Sequence, residues 1–117
     1  MSVADFNIEY HGKDFIDEIE RRAAVAIEAA GMKAEGYAKL ELENPPRRID
    51  TGRLRNSITH TTEDKPGEHT AFIGTNVEYA PYVFYGTTRM APNRFLKNAI
   101  ENNKAEYKSL IERILGN

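Results

Sequence analysis

The segment Val77-Glu78-Tyr79-Ala80-Pro81-Tyr82-Val83-Phe84-Tyr85-Gly86-Thr87 holds three of the chain's six tyrosines and one of its five phenylalanines in eleven residues. Turn formers bracket it, with Gly74 and Asn76 before and Gly86 at its end. Pro81 fixes its own φ near about −65° and has no N–H to donate, which suits the first turn of a helix and not a central strand. Ala80 to Tyr85 therefore reads as a short aromatic helical turn that follows a strand and stops at Gly86 as its C′ residue. Tyrosine joins a large apolar body to a polar tip, so the cluster suits a packed corner or a protein interface better than a deep core. Read alone, it also fits simply as part of a small domain's core.

Immediately upstream, Ser57 to Thr62 is rich in threonine and reads as a strand, and Thr70-Ala71-Phe72-Ile73-Gly74 as its returning partner. Glu63 to Glu68, with Pro66-Gly67, is the polar turn of about six residues between them. His60 and His69 stand on the two arms of this hairpin, where they can face each other, but two histidines with no third ligand make no metal site. Before it, Asp50-Thr51-Gly52-Arg53-Leu54-Arg55-Asn56-Ser57-Ile58 reads as a short helical turn. Asp50 or Thr51 is its N-cap, and Leu54 and Ile58 are i, i+4 partners facing inward.

A long helix is expected from about Lys13 to Glu43. Ile16, Ala23, Ala30 and Tyr37 recur every seven residues, with Ile19, Ala26, Ile27 and Ala34 between them on one face. Much of that stripe is alanine, so another element can approach closely. Gly31 and Gly36 each weaken the helix by about 1 kcal/mol relative to alanine and mark a bend or a close backbone approach. Glu18, Arg21, Arg22, Glu28 and Lys33 make the remaining positions a solvated charged face. Asn44-Pro45-Pro46 ends the helix. At the start of the chain, Phe6, Ile8 and Tyr10 alternate with Asn7 and Glu9, the period of a half-buried strand that His11-Gly12 ends. Downstream of the aromatic turn, Thr87-Thr88-Arg89-Met90-Ala91 is an exposed loop. Pro92 opens a last helix from Asn93 to Leu115, apolar at helical spacing except for a polar middle at Glu101 to Glu106.

The expected fold is one α+β domain over residues 1–117: a long N-terminal helix and a C-terminal helix packed on a small antiparallel sheet of about three to four strands, with the short aromatic turn. So small a sheet leaves edges open for pairing with another copy.

The formal net charge of −2 argues against a dedicated nucleic-acid binder. With no cysteine there is neither a disulfide framework nor a thiolate metal site. No apolar run approaches the roughly 18 residues of a membrane span, and the N-terminus lacks the pattern of a signal peptide, so synthesis and assembly in the cytosol are expected. No metal-ligand spacing links His11, His60 and His69. No glycine-rich phosphate loop, cofactor motif or Gly-x-Ser-x-Gly context is present. Asp50 and Glu78 form no convincing carboxylate pair, since capping explains Asp50. The reading is of no enzyme and no cofactor. Arg47, Arg48, Arg53 and Arg55 form the one basic cluster, which suits nucleic-acid phosphates, carboxylates of a neighbouring subunit, or solvent.

Three motifs in order add a resemblance. Asp50-Thr51-Gly52-x-Leu54-x-x-Ser57-Ile58, then Val77 to Thr87 with Tyr79, Pro81 and Gly86, then Met90-Ala91-Pro92-Asn93-Arg94-Phe95-Leu96-Lys97-Asn98-Ala99 resemble the small neck and tail-completion proteins of long-tailed bacteriophages. The chain departs from that pattern at Phe84, where the family often has an acid, and at Arg94, where it has proline. The resemblance implies a structural virion protein of the head–tail junction or upper tail tube. It would form rings, often sixfold, that join head to tail, after assembly in the host cytoplasm. Its partners would be other copies of itself, head-completion or connector proteins, and tail-terminator or tail-tube proteins, with DNA passing through the lumen without specific binding and no membrane. The surface expected to make these contacts is Arg47, Arg48, Asp50, Arg53 and Arg55 together with Tyr82, Phe84, Tyr85, Thr87, Thr88, Arg89 and Met90. Leu54, Tyr79, Tyr82, Val83, Phe95 and Leu96 are expected in the core. The alternatives are a small nucleic-acid-binding module using Arg47 to Arg55, and a toxin or hydrolase of a mobile element, which would need a nucleophile or metal cluster.

Overall fold

A computed structural model describes residues 6–11, 17–43, 51–88 and 91–116. In chain order it contains β1 (Phe6–His11), α1 (Asp17–Glu41), α2 (Thr51–Ser57), β2 (Thr59–Lys65), β3 (Glu68–Gly74), α3 (Ala80–Tyr85), α4 (Phe95–Glu101) and α5 (Lys104–Gly116). The fold is α+β, as its periodicities predict. The expected start of the long helix at Lys13 and its proline stop at 44–46 lie outside the described residues.

The three strands form an antiparallel sheet in the order β1-β3-β2. The central strand β3 is therefore the returning arm of the hairpin, and β1 and β2 are the two edges. Side chains alternate across the pleat. Ile8, Ala71, Ile73, His69 and His60 share one face, and α1 covers it. The hairpin is longer and tighter than the six-residue loop expected. Lys65 pairs with Glu68, so only Pro66 and Gly67 turn the chain. Gly67 has φ 75°, a backbone that proline followed by glycine supplies. Ser57, read as part of the helical turn and as the lead into the strand, closes α2, its Oγ donating to the Leu54 carbonyl at 2.6 Å.

Alanines let α1 lie close to its neighbours. Ala23, Ala26, Ile27, Ala30, Ala34 and Ala38 are buried, and from Ala30 onward they join a core of Leu42, Leu54, Ile58, Ile73, Val83, Phe95 and Leu96. The two glycines of α1 serve different ends. A Cβ placed on Gly31 would lie 3.1 Å from the Ala71 Cβ and 3.2 Å from the His60 ring, whereas one on Gly36 would meet nothing within 4 Å. Both positions would gain about 1 kcal/mol of helix propensity from alanine. Gly36→Ala is thus expected to raise the thermal midpoint, while Gly31→Ala should leave it unchanged or lower it, because the helix must back away from the sheet. Parallel melts of the two variants measure the difference.

The last helix is two helices. At the break, Asn102 has φ −78° and ψ −9°, and its N–H bonds the Asn98 carbonyl. The Ala99 carbonyl accepts from Asn103 Nδ2 at 3.0 Å and from the Tyr107 hydroxyl at 2.5 Å. Asparagine side chains compete with the helix for backbone partners, and here they satisfy a carbonyl that a continuous helix would use. Burial pushes the Tyr107 hydroxyl pKa far up, keeping it a donor. α4 contacts α1 and β1, and α5 lies along α1. Glu106 fixes that pairing by accepting from Lys33 Nζ at 2.5 Å and from the Tyr37 hydroxyl. These bonds, Lys33 first, hold the Glu106 carboxyl below its ordinary range. Pro92 and Asn93 precede the helix and do not open it. Asn93 donates its backbone N–H to the Val83 carbonyl at 2.9 Å and its side-chain Nδ2 to the Glu41 carbonyl at 3.3 Å, stitching the loop to α3 and α1.

Candidate subunit interface

Pro81 stands at the first turn of α3, and Tyr79 occupies its N-cap position. Gly86 ends the helix with φ 79° and ψ 174°, a conformation essentially restricted to glycine. Its N–H returns to the Tyr82 carbonyl at 2.9 Å. One short helix then sorts its side chains by face. Ala80, Val83 and Phe84 are buried, whereas Tyr82 and Tyr85, an i, i+3 pair, are 62% and 59% exposed.

Phe84 corrects the surface expected from the sequence. It is 2% exposed, with its ring edge-on to Phe95 at 5.9 Å and to Tyr85 at 4.9 Å. Arg94 lies over the same ring, 5.6 Å from its centroid. The two positions at which the chain departs from the family pattern therefore meet in space, as a cation against an aromatic face. Tyr82, expected in the core as well as at an interface, has its side chain outside the core.

The two preceding motifs also meet. Arg53 on α2 forks onto Glu78 just before α3, at 3.0 and 3.1 Å, and its guanidinium stacks 5.5 Å from the Tyr79 ring. The hydrogen bond from Arg53 is the main cause that holds the Glu78 carboxyl below its ordinary range. Leu54, one residue on, is fully buried, as is Ile58, so α2 holds the aromatic corner from below and clamps it from outside. Arg55 Nε lies 3.3 Å from Glu43 Oε1, an ion-pair contact without hydrogen-bond geometry. Both described arginines of the basic cluster thus face carboxylates of this chain. Arg47, Arg48, Asp50, Arg89 and Met90 lie outside the described residues, and Gly52, Thr87 and Thr88 are exposed beside the corner.

Two features escaped the sequence reading. The outer face of α1 is not uniformly charged, because Val25, Met32 and Leu40 are exposed along it. Their spacing of seven and eight residues was a legible signal. The hairpin histidines do not face each other, since His60 pairs with Ile73 and His69 with Asp64. Each instead sits between two carboxylates: His60 between Glu28 and Glu35, and His69 between Glu20 and Asp64. No group of three or more His, Asp or Glu among the described residues is placed to hold a metal ion. No helix among them is long and apolar enough to cross a membrane.

Residues 8–86, more than half of the chain, match the model of a protein family described as "Bacteriophage HK97-gp10, putative tail-component". The match spans the sheet, α1, α2 and the aromatic corner, and stops before the Met90 to Ala99 motif. No curated protein and no solved structure matches the chain.

Proposed function

Because the chain belongs to the HK97-gp10 tail-component family of bacteriophages, we propose that it is a neck or tail-completion protein that assembles at the head–tail junction and helps join head to tail. The role is structural and not catalytic. The observation that carries it is the aromatic corner within the matched span. Two large phenol rings stand exposed on a helical turn held by Gly86, Asn93 and the Arg53–Glu78 clamp. Exposed tyrosines on a rigid support are typical anchors of protein–protein contacts, because little conformational freedom is lost when they dock.

Tyr82, Tyr85, Thr87 and Thr88 form the described part of the contact surface; Arg89 and Met90 follow it in sequence, and Arg47, Arg48 and Asp50 stand just before α2. Phe84 supports the surface from beneath. Copies of the chain meet head to tail, and identical contacts of that kind close into a ring, often of six, when the rotation permits. The sheet suits such closure. β1 and β2 are both antiparallel to β3, so the two edge strands run in the same direction and β2 of one copy can pair with β1 of the next. Head-completion or connector proteins and tail-terminator or tail-tube proteins are the neighbours above and below, and DNA passes through the lumen unheld.

Light scattering over a range of protein concentrations, followed by imaging of the heaviest species, tests self-assembly and reads the symmetry. Adding the protein to phage particles that lack it tests the role itself. Restored head–tail joining is expected; joined particles that form equally well without the protein would overturn the assignment.

A further inference from the structure

His60 sits where edge strand, helix and solvent meet, with its side chain 15% exposed. Its Nδ1 lies 3.0 Å from Glu35 Oε1 and its Nε2 lies 2.7 Å from Glu28 Oε1. Glu28 and Glu35 are seven residues apart, two turns or roughly 10 Å along one face of α1. Gly31 lies between them on that face, and a Cβ there would come within 3.2 Å of the His60 Cδ2 atom. The missing side chain lets the imidazole seat against the helix with one nitrogen reaching a carboxylate above and the other a carboxylate below.

Hydrogen-bond chemistry assigns that seat to one protonation state. A neutral imidazole carries one N–H and one lone pair, while both carboxylates only accept. Only the imidazolium donates to both; loss of one proton sets a lone pair against a carboxylate oxygen. We propose that His60 is a protonation-dependent latch that fixes the edge strand β2 onto α1, closed while the ring carries both protons and loosened when it loses one.

The charged groups facing the ring come from α1: Glu28, Glu35, and Lys39, whose Nζ pairs with Glu35 at 3.3 Å. On β3 its cross-strand partner is the uncharged Ile73. Burial by itself lowers the imidazole pKa, but the hydrogen bonds to Glu35 and Glu28 outweigh it and the net direction is upward. Burial likewise raises Glu35, and the bonds from His60 and Lys39 outweigh that, so its carboxyl ends below its ordinary value. The signs then fix the window. The His60 contribution is fully present below the unfolded imidazole value of about 6.5 and is lost as pH rises through the raised folded value. The Glu35 contribution is present above the unfolded carboxyl value and is lost as pH falls through the depressed folded one. The latch is tightest in the mildly acidic range between them.

The latch concerns the fold of one chain and holds whatever the chain assembles with. The test follows the His60 ring by NMR through a pH titration, with amide exchange measured on β2. His60 should titrate above about 6.5. Exchange protection of β2 should fall by roughly tenfold for each unit by which the pKa exceeds that value, as pH rises past it. In Glu28→Gln, at a half-exposed position, the midpoint should drop. In His60→Gln, which keeps a donor but cannot become charged, this part of the pH dependence of β2 exchange should vanish. A His60 midpoint at or below the free value, or a His60→Gln protein that keeps the wild-type pH profile, overturns the latch.

Discussion

Phe84→Ala is expected to destabilise the chain by about 3–5 kcal/mol, the usual loss for deleting a buried aromatic ring. Against the total of roughly 5–15 kcal/mol that holds a domain of this kind together, that is enough to leave a large unfolded fraction. The ring is 2% exposed, it packs edge-on to Phe95 and Tyr85, and Arg94 covers its remaining face. Removing it opens a void beneath α3 and strips the support from the Tyr85 ring. A rim residue would behave otherwise, since exposed substitutions usually change stability by no more than about 0.5 kcal/mol. The urea midpoint of the variant separates the two: a shift within experimental scatter would return Phe84 to the surface and undo the sorting of α3 into two faces.

The corner was legible because its punctuation is chemical. Pro81 fixes its own φ, and Gly86 supplies a positive-φ backbone that few other residue types adopt, so the start and stop of α3 could be read directly. Which of its aromatics points inward could not, because four similar rings at positions 79, 82, 84 and 85 give no contrast in hydropathy. The contrast lies in what comes to meet them, and Phe95 and Arg94 arrive from another part of the chain. The same limit explains the hairpin. Thr59 to Lys65 is polar at every position, with neither alternation nor an apolar run, so its second half reads as loop. It is an edge strand whose outer face is exposed, while its inner face carries His60 and Asp64 to the carboxylates and histidine opposite.

The helix break at Asn102–Asn103 was signalled by a polar interval but outvoted by the apolar spacing on either side. Side-chain capture of the Ala99 carbonyl decides it, and that depends on Tyr107 reaching back across eight residues. The basic cluster, read as suiting phosphates, a neighbour's carboxylates or solvent, meets a related limit. Four arginines in nine residues look like a surface for anions, but Arg53 is held by Glu78, 25 residues away, and Arg55 faces Glu43. Charge counted along a chain takes no account of pairs made by folding.

Tyr82→Ala is expected to leave the thermal midpoint within about 1–2 °C of the parent, since the side chain is exposed and few of its packing contacts are lost. Its effect should fall on assembly. If Tyr82 anchors the contact between copies, truncation should weaken that contact by about 2 kcal/mol, or roughly thirtyfold in affinity. In a closed ring the same loss recurs at every identical contact, so a modest change at one becomes abolition of the ring. Tyr85→Ala serves as a partial control, because its ring also rests on Phe84, and some loss of stability should accompany its loss of assembly. Light scattering at matched concentrations, beside a thermal melt, reads both quantities for each variant. A Tyr82→Ala protein that melts well below the parent would mark the side chain as part of the fold. One that melts normally and assembles normally would move the contact off the aromatic corner, with the edge strands β1 and β2 the next surface to test.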